Sequence, residues 1–397
     1  MMTPLVTAAA LMNAAMVSAS AMSTIVVAEL VGPGAGGLPN TAAVLGTAAG
    51  AVLIGRLTQL LGRAAALRTG YAASAAGAAL TVASVLSGQL VWLFAGMLLL
   101  GAGNAAGLLS RYAAADLVVP SHRARAMGTV VWAGTAGAVV GPLLLEPAQR
   151  TAAGLGMPPT VGPFLVAVVA TVGAGVAISR FRRPAVDPRP YDAGPVVPNR
   201  RTNDLPVPLA GAVMVVAQIV MVAVMTAVPV HAHHHGHGLV LLGVLLSGHT
   251  FGMFALSPLT GWFIDRVGSR AVSVAGVLVL VTAAVLVALP IGGGLLAVAL
   301  FALGYGWNLS YVSGSAALSR AGDTTGAPHR TGLEGPRLES LVEAWAWTAS
   351  AVATALSTWL FSTGGFPLLA VIGLSLLVPV LVALTARRPT PIPVDGD

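Results

Sequence analysis

The sequence predicts an all-α membrane protein with twelve transmembrane helices in two pseudo-symmetric six-helix bundles. Low charge, long apolar runs and an internal repeat lead to this fold class. Of the 397 residues, 56% are hydrophobic and only 8% are charged, which is too little charge for a water-soluble domain of this size. Runs of about 20 apolar residues can cross the hydrocarbon core of a bilayer as helices, which satisfy their own backbone hydrogen bonds.

The apolar runs divide the chain into twelve predicted spans, separated by short polar loops. One longer polar stretch, rich in proline and arginine, follows the sixth span and favours an extended connector. We therefore predict an N-terminal bundle over residues 1–181, a linker over 182–206 and a C-terminal bundle over 207–397. The predicted spans are 4–31, 38–58, 69–88, 90–115, 125–147, 160–181, 207–231, 238–263, 270–289, 293–318, 337–360 and 366–386.

The arginines predict the orientation of the spans. The chain carries 20 basic residues, all of them arginine. If the N-terminus lies inside, every arginine except Arg150 falls on an inner loop, the inner tail or a helix end beside them. Positive residues favour the cytoplasmic side, so we place both termini in the cytoplasm of a multi-pass plasma (inner) membrane protein. This distribution argues against a nucleic-acid partner.

The two halves repeat each other at matching positions. The loop that begins at Gly55 and the loop that begins at Gly261 share the frame Gly-x3-(Gln/Asp)-x2-Gly. A pair of methionines four residues apart occurs in the first span and again in the seventh. A repeat of six plus six spans with matching loops supports two related bundles.

The second copy of the loop resembles the best-known signature of the major facilitator superfamily. That resemblance implies a central cavity between two bundles, alternating access and a substrate site near the midplane. It also implies gating roles for the residues that match the signature, which are Gly261, Asp265, Arg266, Gly268 and Arg270. The first copy departs from the pattern, because Gln59 stands where the family usually has aspartate.

A narrower pattern is similar to the CcoA-like copper importers of this superfamily. It consists of Met221 and Met225 on span seven, followed by His249 and Met253 on span eight. The resemblance implies that these four residues bind a copper ion as the transported substrate, with no permanently bound cofactor. Residues four apart share one helix face, and thioether and imidazole ligands suit Cu(I), so the chemistry is compatible with a descending ladder of ligands.

Each element of this hypothesis has an ordinary structural alternative. Methionine commonly fills gaps in apolar helices, so a Met-x3-Met pair is also compatible with packing alone. A histidine inside a membrane span is costly and points more strongly to a function. Met12 and Met16 are the candidates for a second, symmetry-related pair.

A histidine-rich loop lies between spans seven and eight, on the predicted outer side. Clustered imidazoles can capture divalent metal ions near an entrance, but a solvated turn would explain the same composition. The residues of this candidate entrance loop are His231, His233, His234, His235 and His237.

Ionisable residues in or near the spans are candidates for ion coupling. Arg111 lies near the inner end of span four, and Asp116 follows it, so the two are candidates either for a structural ion pair or for a part in proton coupling. Four acidic residues near span ends have snorkelling to the interface as their simplest explanation: Glu29, Glu146, Glu339 and Glu343. Gly137-x3-Gly141-Pro142 partly matches an antiporter motif of the superfamily, but it also allows tight helix packing.

The sequence contains no nucleotide-binding loop, hydrolytic triad or zinc-protease motif, so we do not expect an enzyme. Cysteine is absent, which excludes disulfides and thiolate metal sites. Three functions remain open: a metal importer, a proton-coupled exporter of small organic compounds or drugs, and a non-transporting receptor or assembly factor. The expected partners are a small molecule or metal ion and membrane lipids, and the expected state is a monomer.

Overall fold

A computed structural model describes residues 2–32, 35–181, 205–234, 239–289, 292–323 and 335–386. Within these ranges the chain is helical and contains no β-strand. The first half forms α1 (Thr3–Leu30), α2 (Leu38–Leu61), α3 (Arg63–Ser87), α4 (Leu90–Ala115), α5 (Arg123–Leu143), α6 (Leu145–Gly154) and α7 (Val161–Ser179). The second half forms α8 (Val207–His234), α9 (Leu239–Phe254), α10 (Ser257–Val267), α11 (Ser269–Ala288), α12 (Gly293–Asp323) and α13 (Gly335–Thr385).

These helices correspond to the predicted spans in order. Among the described residues, nine helical segments are long and apolar enough to cross a membrane, and the bent pair α5–α6 makes a tenth. The other two predicted spans correspond to α9 with α10 and to the first part of α13. Gly365 divides the 51-residue α13, because its φ of +62° interrupts the helix. The fold class is therefore the predicted all-helical membrane fold.

Two local features differ from the predicted spans. Span eight is broken at Ala255–Leu256, where Pro258 in the first turn of α10 disfavours a helical conformation of the preceding residues. Span five ends earlier than predicted, and the separate helix α6 follows it at an angle of 51°. In α6, Arg150 pairs with the exposed Glu146 four residues earlier, so this polar segment lies on the surface.

Glycines allow the helices of each half to cross at close range. At the crossing of α2 and α4, a Cβ on Gly101 would lie 2.0 Å from the Ala43 carbonyl oxygen. At the corresponding crossing of α9 and α12, a Cβ on Gly304 would lie 2.3 Å from the His249 carbonyl oxygen. The same backbone-to-backbone contact thus recurs in both halves, as expected for a structural repeat.

One end of the molecule carries the arginines at the turns α2–α3 and α10–α11, and we call it the arginine face. There Arg63 of α3 contacts both Asp116 after α4 and Glu339 of α13. Helix α8 begins on this face, because it runs alongside α13 with paired contacts such as Gln218 to Ser350. The far end of α8, which carries the backbone of His231, His233 and His234, consequently lies on the opposite face.

This opposition of arginines and histidines agrees with the predicted topology. Which of the two faces lies in the cytoplasm stays a prediction. The side chains of His231, His233 and His234 lie outside the described part of the chain, as do His235, His237 and most of the predicted linker. The proposed metal capture by this loop and the domain boundaries at the linker also stay predictions.

The two halves meet closely at the arginine face. A Cβ on Gly128 of α5 would lie 2.2 Å from the Ser257 carbonyl oxygen of α10. A Cβ on Gly55 of α2 would overlap the Ser340 side chain of α13. These contacts join the two halves near this face, and a cavity lies farther along the helices.

Candidate functional site

A cavity of about 270 Å³ lies between the two halves. Helices α1, α4 and α5 form one side, and α8, α9, α12 and α13 form the other. Its wall combines aromatic rings, methionines and a few polar groups. The lining residues discussed below are Met12, Asn13, Met16, Asn104, Arg111, Gly134, Gln218, Met221, Met253, Phe254, Trp307, Tyr311 and Trp347.

Aromatic rings form a rigid part of the wall. Trp307 stacks on Tyr311 with ring centroids 4.6 Å apart and an interplanar angle of 20°. Phe254 meets Trp307 edge-on at 6.1 Å. The indole nitrogen of Trp307 donates to the Gln218 side-chain oxygen at 2.7 Å, and Gln218 donates to Ser350 at 2.8 Å. This chain of contacts fixes the ring orientation and uses the amide of Gln218 internally.

The wall includes a buried polar atom that has no partner among the described residues. The indole N–H of Trp347 is buried, and no described residue accepts its hydrogen bond. By contrast, Asn13 donates to the Gly134 carbonyl, and Asn104 donates to Thr47. A buried donor without an acceptor is costly. Because Trp347 also lines the cavity, its indole N–H is a candidate donor to a ligand.

The structure brings part of the predicted copper ladder together. Met221 and Met253 line the cavity, and so do Met12 and Met16, the candidate second pair. Met225 is only partly buried and packs against the core of the second half, outside the cavity lining. His249 also lies outside the lining. The four methionines therefore share the cavity, whereas the predicted set of Met221, Met225, His249 and Met253 does not.

His249 packs between α9 and α12. Its Nδ1 lies 3.0 Å from the Leu300 carbonyl oxygen, and because a carbonyl only accepts, Nδ1 must be the donor. The other ring nitrogen, Nε2, is then an acceptor, and it is buried without a partner among the described residues. The sequence predicts this ring in the transport path because spacing along α9 does not show that the ring contacts α12.

A buried ion pair connects the two halves beside the cavity. Arg111 of α4 contacts the carboxylate of Glu343 of α13, and the two side chains are 2% and 1% exposed. Tyr311 donates to the second oxygen of this carboxylate at 2.5 Å. The guanidinium lies 4.7 Å from the ring centroids of both Tyr112 and Tyr311. The two opposite charges compensate each other. The pair is buried and lies beside the central cavity.

The predicted pairing of Arg111 with Asp116 is wrong. Asp116 instead contacts Arg63 at 2.9 Å, and Arg63 in turn binds Glu339 at 3.0 Å. Snorkelling is also the wrong interpretation for Glu339 and Glu343, which are 3% and 0% exposed. A signal was present in the sequence: two acids four residues apart occupy one helix face inside an otherwise apolar run. Their arginine partners come from the other half, which only the folded chain reveals.

The gating candidates lie together on the arginine face. Asp265 accepts hydrogen bonds from the backbone N–H groups of Ala124 at 3.1 Å and Arg125 at 3.0 Å. These groups belong to the first turn of α5, where the helix dipole also favours a carboxylate. This contact joins the two halves directly.

The other signature residues hold the α10–α11 turn and the packing of α10 against α5. Gly268 has φ +90°, a conformation that favours glycine, and Arg270 donates to the Leu384 carbonyl at 2.7 Å. Arg266 stacks on the Trp262 ring at 4.2 Å. A Cβ on Gly261 would lie 2.3 Å from the Ala124 carbonyl oxygen, so glycine is needed for the close approach of α10 to α5.

The family model of the Major Facilitator Superfamily matches residues 5–333. The chain belongs to this superfamily. It is 33% identical over 362 residues to an uncharacterized MFS-type transporter, YdeG of Bacillus subtilis (strain 168), covering 87% of this chain and 82% of that protein. It is 28% identical over 288 residues to the riboflavin transporter RfnT of Brucella anthropi, covering 70% of each chain.

Solved structures of the superfamily share the fold. The E. coli fucose:proton symporter FucP superposes with a TM-score of 0.70 at 14% identity, covering 97% of this chain and 99% of FucP. Membership makes the protein a multi-pass membrane transporter and not an enzyme, and a small-molecule substrate is consistent with it. The superfamily predicted from the loop signature is thus confirmed, whereas these relatives lend no support to the CcoA-like subgroup.

We expect Asp265→Asn to impair transport more than Gln59→Ala. The asparagine side chain places an NH2 donor where one carboxylate oxygen of Asp265 accepts from α5, so that N–H group loses its acceptor, and the side chain carries no charge toward the helix dipole. Gln59 carries no charge to lose. The measurement is the transport rate in cells at matched protein levels. Equal losses in the two variants would refute the asymmetry between the two loops.

Proposed function

We propose that the protein is a secondary active transporter that carries a small planar organic compound by alternating access. The observation that carries this proposal is a rigid aromatic wall beside the indole N–H of Trp347, a buried donor with no acceptor in the described part of the chain. Flat aromatic faces bind planar rings by stacking. The free N–H favours a ligand with an exposed acceptor, such as a ring carbonyl.

The volume and charge of the cavity support a neutral organic ligand. About 270 Å³ is close to the lower end of the range for ligand pockets, about 300–1,000 Å³, and far above the share of one water molecule, about 30 Å³. Arg111 is the charged residue on the wall, and Glu343 already neutralises it. A neutral ring system therefore suits the site better than a strongly charged substrate. The similarity to a riboflavin transporter is compatible with this ligand class.

Copper uptake is the second candidate function. Four methionine side chains line the same cavity, and thioether sulfur is a ligand suited to Cu(I). They are Met12, Met16, Met221 and Met253. The hydroxyl of Ser74 lies 3.3 Å from the Met12 sulfur and 3.3 Å from the Gly70 carbonyl oxygen, and its one hydrogen can be donated to either. The imidazole foreseen as a further ligand lies outside the cavity lining. The aromatic wall would have no role in binding a bare metal ion, so we rank this function second.

Ligand-induced stabilisation of the purified protein tests the proposal. We expect riboflavin or another planar heterocycle with a ring carbonyl to raise the melting temperature, since ligands that bind only the folded state stabilise it. Trp347→Phe keeps the ring and removes the N–H, so it should weaken binding about tenfold, the effect of one hydrogen bond of about 1.4 kcal/mol.

Trp345→Phe is the matched control, because Trp345 lies on the same helix but is 68% exposed on the outer surface of the protein. It should bind the ligand like the wild type. Equal weakening in both variants would contradict the role of the Trp347 N–H. Stabilisation by Cu(I) alone, lost in Met253→Leu, would replace the organic ligand with the metal ion.

A further inference from the structure

Helix α9 ends within predicted span eight, where its last backbone carbonyls need partners. The last four carbonyls of a helix have no acceptor-donor pairing within it, and the hydrocarbon core of a bilayer offers no water in exchange. Pro258 carries no N–H, so the Phe254 carbonyl would lack a partner even in a continuous helix. In the structure Ser257 donates to the Phe254 carbonyl at 2.8 Å, and Asn308 donates to the Met253 carbonyl at 2.6 Å. Side chains thus satisfy both carbonyls at the break.

Asn308 of α12 is fully buried and uses its whole amide at this break. Its nitrogen donates to the Ser257 hydroxyl at 2.6 Å as well as to the Met253 carbonyl. Its oxygen accepts from the Thr260 hydroxyl at 2.7 Å. Met253 belongs to the last turn of α9, whereas Ser257 and Thr260 belong to the first turn of α10. One amide therefore fixes the end of α9 relative to the start of α10.

The α9 side of the break forms part of the cavity wall. The side chains of Met253 and Phe254 line the cavity, and the Phe254 ring meets the Trp307 ring edge-on. Trp307 precedes Asn308 in α12, so two successive residues hold the same end of α9, one through its ring and one through the backbone. Asn308 itself is not part of the cavity lining. It can therefore affect a ligand only through the residues that it positions.

The α10 side of the break holds the first half of the molecule. Three positions four residues apart form one face of α10, and each of them contacts α5. A Cβ on Gly128 of α5 would lie 2.2 Å from the Ser257 carbonyl oxygen, and a Cβ on Gly261 would lie 2.3 Å from that of Ala124. Asp265 accepts hydrogen bonds from the first turn of α5. The helix that binds the first half is thus held by the same amide as the cavity wall.

The first half of the chain lacks this arrangement at the matching position. Asn104 lies one turn beyond the close crossing of Gly101 in α4. Asn308 lies one turn beyond the corresponding crossing of Gly304 in α12. Among the described residues Asn104 donates a single long hydrogen bond, to Thr47 of α2 at 3.4 Å, and α2 continues without a break. The additional contacts of Asn308 therefore belong to the break in span eight and not to the repeat.

We propose that Asn308 is a positioning residue that links the cavity wall at Phe254 to the contact between α10 and α5. A ligand that displaces the end of α9 then shifts α10 on the first half, and release of α10 changes the wall that the ligand meets. Linkage of this kind is reciprocal, because both contacts depend on the same amide. It goes beyond the proposed function, and it gives transport a physical route from ligand binding to separation of the halves.

Fluorine NMR can observe the cavity side of this link, with 4-fluorophenylalanine in place of Phe254. The resonance is sensitive to the neighbouring Trp307 ring, so it reports the position of the end of α9. Asp265→Asn weakens the hold of α10 on α5 at the far end of α10. We expect this substitution to shift or broaden the fluorine resonance of the otherwise wild-type protein, although the two positions lie on different helices.

Asn308→Leu should abolish this response, since leucine is close to asparagine in size but makes no side-chain hydrogen bond. Thr260→Val removes only the bond between the amide and Thr260 and keeps the Met253 carbonyl satisfied. It should abolish the response as well, and it carries the test if Asn308→Leu does not fold. Asn104→Leu is the matched control and should retain the response. Size-exclusion chromatography first establishes that each variant is monodisperse.

A wild-type response to Asp265→Asn in either Asn308→Leu or Thr260→Val would overturn the proposal. So would the absence of a response in the wild-type background, because the two contacts would then be independent. Loss of the response in Asn104→Leu would show a general loosening of the bundles and would equally contradict a specific role of Asn308. No transported compound is needed, so failure here is distinct from failure of the ligand assay.

Discussion

Glu343→Leu is expected to destabilise the protein by about 3–5 kcal/mol, the usual effect of breaking a buried ion pair. The substitution leaves the guanidinium of Arg111 enclosed, with a side chain 2% exposed, and arginine cannot become neutral. The two tyrosine rings beside the guanidinium offset only part of this effect. Chemical denaturation in detergent micelles, with the wild type as reference, measures the loss.

Removing the other member of the pair should cost less stability, and this difference makes the prediction specific. Arg111→Met leaves Glu343 without its partner, but the carboxyl group can take up a proton and become neutral. The double variant Arg111→Met/Glu343→Leu buries no charge at all and should recover most of the stability lost in Glu343→Leu. If the stability lost in the double variant equals the sum of the losses in the two single variants, the two charges do not depend on each other.

Gly101→Val is expected to prevent formation of the native first half. The new Cβ would lie 2.0 Å from the Ala43 carbonyl oxygen and 2.9 Å from the Thr47 backbone nitrogen, and neither backbone atom can move without separating α2 from α4. Overpacking usually costs about 1–3 kcal/mol, and a clash with backbone belongs above that range. The measurement is the yield of monodisperse protein in size-exclusion chromatography.

Gly304→Val tests the equivalent crossing in the second half and should have a similar effect. Gly175→Val is the control, because no atom beyond its neighbours lies within 4 Å of the Cβ it would introduce on α7. Valine also has a higher helix propensity than glycine, so the control should fold normally. Normal yield of Gly101→Val would mean that α2 and α4 do not approach as closely as described.

The sequence alone determined the architecture because the membrane imposes strong local requirements. Apolar runs of the length of the bilayer predict helices, and twelve of them, with repeated loops, predict two related bundles. The loop from Gly261 to Arg270 is short and continuous, so its resemblance to the superfamily signature could be read without knowledge of distant contacts. These predictions use only neighbouring residues.

The candidate site required the tertiary structure, because its residues come from seven helices. Helical spacing offered Met221 and Met253 as ligands of one ladder and Met12 and Met16 as a separate second pair, and in the structure all four line the cavity. The same spacing placed His249 in the transport path, although the ring turns to the Leu300 carbonyl of α12. Spacing defines a face of one helix but not the helix that this face contacts.

The ion pairs show most clearly what the sequence determined and what only the tertiary structure decided. Along the chain, Asp116 is the acid close to Arg111, and it was the expected partner. In the fold, Arg111 pairs with Glu343, which lies 232 positions away, and Asp116 pairs with Arg63. The sequence determined that these charges lie in or beside apolar spans, where each must find compensation. Only the packing of one half against the other decided which charge compensates which, because burial makes distance in space matter more than distance along the chain.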